Sequence, residues 1–99
     1  MAKVSLVMTE AEKIESATTL MQAIICALVD DPESVSIVAM QAHEATCLQI
    51  QVGSSEAGKL IGKQGRTARS LRIVLSAAAM KLDHRFQLKI VESMPGDYV

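Results

Sequence analysis

Two glycines, Gly62 and Gly65, interrupt a stretch of sequence that would otherwise continue as a single helix. Glycine has no Cβ, so it adopts positive φ easily and lets another group come close to the backbone. Two glycines three residues apart therefore predict two helices joined by a tight turn. The turn is also cationic, because residues 58–72 contain five lysines and arginines and no acid.

The residues before this turn predict one helix and a β-hairpin. Thr9 and Glu12 have the spacing of a capping box, and apolar residues then recur every three or four positions, which predicts a helix over about residues 10–29. Residues 35–42 and 46–52 have the composition and alternation of strands. The connection between them is too short for a crossover, so we expect the two strands to be antiparallel.

The residues that follow predict a short helix, a long helix and a third strand. One of the serines after Gly53 is expected to cap a short helix over about residues 56–61. A longer helix is expected over about residues 66–82. Its predicted buried stripe consists of Ala68, Leu71, Val74, Leu75, Ala78 and Leu82. The third strand is predicted from the alternation of Phe86, Leu88 and Ile90.

The order of these elements, αββααβ, predicts an α+β fold with two layers. A chain of 99 residues forms one domain. We expect an N-terminal arm (1–9), the folded domain (10–92) and a C-terminal tail (93–99). Helices must cover at least one face of the sheet, so the expected architecture is a three-stranded mixed sheet covered by helices on one face.

The net charge of −1 is the sum of two opposed halves. Residues 1–56 contain eight acids and two bases, a net charge of −6, whereas residues 57–99 contain eight bases and three acids, a net charge of +5. Local positive potential is what binds phosphate, so the second half is expected to face a polyanion. The alternative is that these charges only solvate helix surfaces.

The cysteines and the hydropathy pattern indicate where the chain acts. Cys26 and Cys47 are separated by 20 residues and have no metal-binding spacing, which favours free thiols in a reducing compartment. The longest apolar run is far shorter than the ~20 residues of a membrane span. We therefore expect a cytoplasmic protein with no membrane partner.

A glycine-bounded turn of this kind suits the phosphate backbone of a nucleic acid. Backbone amides of the turn and of the first turn of the next helix would point partial positive charge at one place, and Lys63 adds a full charge. On that helix, Arg66, Arg69 and Arg72 span an arc of about 120° that avoids the apolar stripe. These three side chains are expected to point outward together.

At this point the residues resemble a known family. The run Leu60–Gly65, with Gly58 upstream and Leu71 downstream, is similar to the signature of the KH domain. The αββααβ order resembles its type II form, and the small size resembles bacterial proteins that consist of a single KH domain. The resemblance covers about residues 12–92. Ala68 departs from the family pattern, which commonly has a larger aliphatic residue there.

The resemblance implies a non-catalytic protein that clamps about four nucleotides of single-stranded RNA, and single-stranded DNA fits the same description. It implies a role as an RNA chaperone or post-transcriptional regulator, with no cofactor and no metal. The third strand is expected to line the binding groove. The residues it assigns to RNA binding are Gly58, Lys59, Ile61, Gly62, Lys63, Gln64, Gly65, Arg66 and Arg69.

Two other interpretations fit parts of the sequence. Residues 53–59 match the start of a phosphate-binding P-loop, but Leu60 occupies the position that needs a hydroxyl for magnesium, and Glu56 would repel phosphate. The second alternative is a protein-interaction module with weak or no RNA binding, acting through Ile73, Ala77 and Met80. These residues lie opposite the core stripe, where they either pack against the first helix or face solvent. The family resemblance implies a homodimer, or a heterodimer with a larger KH-containing protein.

Overall fold

The computed structural model of the protein describes residues 7–93. It confirms the predicted order αββααβ. The expected arm and tail fall mostly outside the described residues, since 1–6 and 94–99 are not among them. The elements are α1 (Glu10–Leu28), β1 (Ser36–Gln41), β2 (Thr46–Gly53), α2 (Ser54–Ile61), α3 (Arg66–Leu82) and β3 (Phe86–Ser93), with short 3-10 turns at Pro32–Ser34 and Lys63–Gly65.

The predicted capping box at the start of α1 is present. The backbone amide of Thr9 donates to Glu12 Oε1 at 2.9 Å, and the amide of Glu12 donates to Thr9 Oγ1 at 3.1 Å. These two bonds satisfy amides that the first turn of a helix leaves without partners. They fix the start of α1 one residue after Thr9.

The sheet is mixed, as predicted, and has the strand order β1-β2-β3. β1 is antiparallel to β2, with Val38 opposite Gln49. β3 is parallel to β2, with Leu88 beside Leu48. Because β3 is an edge strand and contacts both α2 and α3, it forms one side of the region that contains the glycine turn.

The core lies between the three helices and one face of the sheet. Alternate residues of β2 are buried, and those between them, such as Gln49 and Gln51, are partly exposed on the opposite face. Each large apolar side chain buried in this way contributes about 1.5–3 kcal/mol. The largest fully buried apolar side chains are Met21, Ile25, Leu48, Ile50, Val52, Leu60 and Leu75.

The start of α2 and part of the buried stripe of α3 differ from the prediction. Gly53, and not a serine, occupies the N-cap position of α2, so no hydroxyl caps that helix and it begins two residues earlier than expected. In α3, Val74 is 39% exposed, because it lies at the edge of the apolar stripe and borders a shallow cleft between α1 and α3. Ala78 and Leu82, which were also predicted to be buried, are half-buried, and the buried residues of α3 are Ala68, Leu71 and Leu75.

Candidate nucleic-acid interface

The turn between α2 and α3 is built from three unusual backbone conformations and one ordinary residue, Lys63. Gly62 has φ 77° and ψ 173°, Gln64 has φ 57° and ψ 27°, and Gly65 has φ 74° and ψ 16°. The Gly62 amide donates to the Gly58 carbonyl at 2.8 Å, and the Gly65 amide donates to the Gly62 carbonyl at 3.1 Å. The first bond closes α2 and the second tightens the turn.

Glycine is needed at positions 62 and 65 for different reasons. A Cβ on Gly62 would contact the side chain of Thr67 and would lie 2.8 Å from the Thr67 amide nitrogen, which is closer than van der Waals contact allows. A Cβ on Gly65 would meet no atom within 4 Å, so only the positive φ favours glycine there. Gly62 is therefore required by both sterics and conformation, whereas Gly65 is required by conformation alone.

Lys63 and Gln64 form the exposed tip of the turn. Gln64 adopts the left-handed region, which is unusual for a residue with a Cβ and costs of order 1 kcal/mol or more. Strain of this kind is often found at binding sites. Its effect here is to present two polar side chains side by side, outside the core.

The turn leads directly into the N-terminus of α3. Gly65 occupies the N-cap position and has no side chain with which to cap the helix. The first amides of a helix have no partner within the helix, and together with the helix dipole they attract anions. The amide of Arg66 donates to the carbonyl of Lys63, so a phosphate oxygen could accept hydrogen bonds from the amides that follow it in the first turn of α3.

The three arginines of α3 are exposed, as predicted, and they border different surfaces beside the helix. Arg66 borders the cleft of about 290 Å³ between α1 and α3. Arg72 borders a cleft of about 380 Å³ between α3 and β3, beside Phe86 and Gln87. The predicted arc is thus spread over two sides of α3, and Arg69 lies between them on the outer surface.

The candidate groove is lined by exposed residues of α2 and by a third strand that is less exposed than a groove wall requires. On α2, Gly58 is exposed with open space around its Cα, and Ile61 is 44% exposed. On β3, Leu88 is buried, and Phe86 and Ile90 are half-buried against the core. The strand therefore offers the partly exposed edges of Phe86 and Ile90, and Leu88 serves the core.

Sequence reasoning missed the role of Glu56. This residue is buried, and its carboxylate accepts the backbone amides of Asp30 at 3.2 Å and Asp31 at 3.0 Å. Lys59 is also engaged: its ammonium lies 3.0 Å from Asp30 Oδ2 and 3.4 Å from Glu56 Oε1. The hydrogen bond to Asp30, followed by that to Glu56, raises the pKa of Lys59. A signal was present in the sequence, since Glu56 and Lys59 have helical i,i+3 spacing.

The P-loop interpretation does not fit the structure. Residues 54–59, which would have to wrap a phosphate as an irregular loop, form the first turns of α2. Glu56, which would lie within that loop, is instead hydrogen-bonded to the turn after α1.

Within residues 7–93, no three histidine, cysteine, aspartate or glutamate side chains are grouped closely enough to hold a metal ion. No helix in the same range is long and apolar enough to cross a bilayer.

The residues of the possible protein-interaction surface lie on the outer face of α3. Ile73 is 63% exposed, Met80 is 83% exposed, and Ala77 lies between them and is also exposed. The sequence left open whether these side chains meet α1 or solvent, and in the described structure they face outward. They form an apolar strip along α3, continuing the line that begins at Arg66 and Arg69.

Comparison with known proteins identifies the family. A model described as the KhpA/KhpB KH domain matches residues 18–90. RNA-binding protein KhpA of Borreliella burgdorferi is 37% identical over 73 residues, which cover 74% of this chain and 89% of that protein. RNA-binding protein KhpA of Halalkalibacterium halodurans is 40% identical over 74 residues, covering 75% and 97%. That of Treponema pallidum is 42% identical over 66 residues, covering 67% and 82%.

A solved structure supports the fold alone. The crystal structure of an Era variant of Aquifex aeolicus bound to GDP.AlF4- superposes with a TM-score of 0.59 at 10% identity, over 98% of this chain and 36% of that chain. The αββααβ order and the mixed sheet are those of the type II KH fold, as predicted. From the family match and the three relatives, we conclude that this chain belongs to the KhpA/KhpB family of KH-domain proteins.

Proposed function

We propose that this chain binds single-stranded RNA and holds about four nucleotides in the groove beside the turn Gly62–Gly65. The observation that carries the proposal is the geometry of that turn: two glycines bring the backbone close to a ligand, and exposed Lys63 and Gln64 lie next to the uncapped start of α3. The relatives are named RNA-binding proteins, which supports RNA as the ligand.

The residues proposed to contact RNA have distinct tasks. Lys63, Gln64 and the amides near Gly65 would hold phosphates, because charge-assisted hydrogen bonds are the stronger ones. Arg66 and Arg69 would extend the positive path along α3. Gly58 and Ile61 on α2 would contact bases, with Gly58 allowing a base to lie flat on the helix.

The biological role that fits such a site is that of an RNA chaperone or post-transcriptional regulator. A site for about four nucleotides has little sequence specificity by itself, so this role would depend on a second RNA-binding domain in the same assembly. Two free cysteines agree with a cytoplasmic location. The matched family is not enzymatic, in agreement with the prediction of a non-catalytic chain.

Salt dependence tests the proposal directly. We expect a fluorescein-labelled ten-nucleotide uridine strand to bind with a logarithmic salt slope of about −2 to −3, because each phosphate contact on a single strand contributes about −0.7. Fluorescence anisotropy between 50 and 300 mM potassium chloride measures the slope. The same length of double-stranded RNA should bind more weakly, and the corresponding DNA strand tests the choice between RNA and DNA. Affinity that does not change with salt contradicts a phosphate clamp.

A second candidate function is association with another protein through α3, favoured by the exposure of Ile73 and Met80. The partner would be a second copy of this chain or a larger protein that contains a KH domain. Apolar side chains exposed along one helix are a common basis for such contacts. This function is compatible with RNA binding, because dimerisation would place two short RNA sites in one particle.

An Ile73→Glu variant tests this association. We expect it to shift the sedimentation velocity profile toward a monomer, because a glutamate buried in an apolar contact loses its hydration without a partner. Gln22→Glu on the exposed face of α1 makes the same charge change elsewhere and serves as the matched control. An unchanged distribution of species in the Ile73 variant would exclude Ile73 as a contact.

A further inference from the structure

The buried carboxylate of Glu56 connects the start of α2 to the end of α1. α1 ends at Leu28, and the next amides along the chain include those of Asp30 and Asp31. Glu56 accepts both of them, one on each carboxylate oxygen, at 3.2 and 3.0 Å. Only 6% of its side chain is exposed. A buried carboxylate is stabilised by hydrogen bonds of this kind, and its position is therefore fixed by the backbone it binds.

Lys59 lies one helical turn after Glu56 and is held by the same arrangement. Its ammonium contacts Asp30 Oδ2 at 3.0 Å and Glu56 Oε1 at 3.4 Å. Two carboxylates, one in the turn after α1 and one on α2, thus share one ammonium. The Lys59 side chain is 43% exposed, but these contacts engage two of the three donors of its ammonium, and the two carboxylates would repel a phosphate that approached it.

Lys59 and Lys63 differ in where the fold places them. Both lysines lie within a few residues of Gly62, and by sequence alone they contribute equally to the positive charge of the turn. Lys63 lies at the exposed tip of the turn, whereas Lys59 is tied to the turn that follows α1. The hydrogen bond to Asp30, followed by that to Glu56, raises the pKa of Lys59.

We propose that Glu56 and Asp30 are positioning residues that withhold Lys59 from the RNA backbone and fix α2, so that Lys63 is the first cation on the phosphate path. The family resemblance placed Lys59 among the RNA contacts. In this proposal Lys59 instead links α2 to the turn after α1. The binding part of this inference rests on the proposed RNA function; the pairing of Lys59 does not.

A chemical test of the pairing needs no RNA. We expect N-acetoxysuccinimide to acetylate Lys59 several-fold more slowly than Lys63 at pH 8, because a paired ammonium with a raised pKa provides less free amine. Mass spectrometry of peptides measures the rate at each lysine, with exposed Lys81 as an internal reference. In Asp30→Asn/Glu56→Gln, the rate at Lys59 should rise to that of Lys63. Equal rates in the unaltered protein would overturn the inference.

The RNA test compares two neutralised lysines. We expect Lys63→Gln to reduce the salt slope for the ten-nucleotide uridine strand by about 0.7 and Lys59→Gln to leave it unchanged. Asp30→Asn/Glu56→Gln should steepen the slope by about 0.7, because it frees Lys59 for a phosphate. Equal reductions in the two lysine variants would overturn the inference.

The two tests separate the possible failures. If the unaltered protein does not bind the strand at all, the proposed function fails, and the acetylation rates still decide whether Lys59 is paired. Circular dichroism at each salt concentration establishes that the variants are folded. If Asp30→Asn/Glu56→Gln does not fold, Lys59→Gln and the acetylation of the unaltered protein still decide the inference.

Discussion

Replacing Gly62 by alanine is expected to destabilise the protein by about 3 kcal/mol or more. Its backbone, at φ 77° and ψ 173°, lies in a region used almost only by glycine, and occupying that region costs another residue about 1–3 kcal/mol. The new Cβ would also lie 2.8 Å from the Thr67 amide nitrogen. α3 begins at the turn, so this contact is relieved only by moving the helix. Urea unfolding followed by circular dichroism measures the change.

Gly65→Ala is the matched control within the same turn. Both substitutions add one methyl group and reduce the freedom of the unfolded chain equally. The space around Gly65 is open, so Gly65→Ala is expected to lower the free energy of unfolding only by the cost of the left-handed conformation, about 1–2 kcal/mol. Adding Thr67→Ala should recover little of the loss at Gly62, because the backbone contact remains. Equal losses at Gly62 and Gly65 would show that the contact with Thr67 does not matter.

Changing Lys63 and Gln64 together to aspartate is expected to weaken binding of the uridine strand by about 100-fold or more at 50 mM salt. The double variant removes a charge-assisted contact worth about 1.5–3 kcal/mol and places two negative charges against the RNA backbone. Fluorescence anisotropy measures the affinity. The fold should be retained, because both side chains are exposed and aspartate tolerates the left-handed conformation of Gln64.

The matched control applies the same change in charge elsewhere. Lys81→Asp/Gln22→Asp alters two exposed positions on α3 and α1 that are outside the proposed RNA contacts. If only the overall charge mattered, the two double variants would lose affinity equally. A loss confined to the variant at the turn would show that binding is local. If the variant altered at the turn bound the strand as tightly as the unaltered protein, that result would contradict the proposed site.

The elements of the fold were predictable because local signals agreed with the global arrangement. The capping box of Thr9 and Glu12 fixed the start of α1 within one residue. Strict alternation over residues 46–52 identified a strand, which the structure places at the centre of the sheet, and the glycine turn separated α2 from α3. Each signal acts between neighbours in sequence, which is why it can be read without the tertiary structure.

The missed features depend on contacts between elements that are distant in sequence. Glu56 is buried because the amides of Asp30 and Asp31, 25 or 26 residues earlier in sequence, meet it in the folded chain. Val74 has the periodicity of a core residue, but the shallow cleft between α1 and α3 leaves it partly exposed. Helical periodicity predicts the direction of a side chain and not what lies opposite it.

The absence of a side chain at Gly65 has a thermodynamic consequence. Helices usually satisfy their first amides with a capping residue, and α1 does so through Thr9. At α3 that position is held by glycine, and the amide of Arg66 donates to the Lys63 carbonyl, so a ligand oxygen would complete the helix by accepting from the amides that follow Arg66. Binding and folding of this segment would then be reciprocally linked: a ligand at 100 times its dissociation constant stabilises the folded state by about 2.7 kcal/mol. The ligand would then supply the oxygen that a capping side chain supplies in other helices.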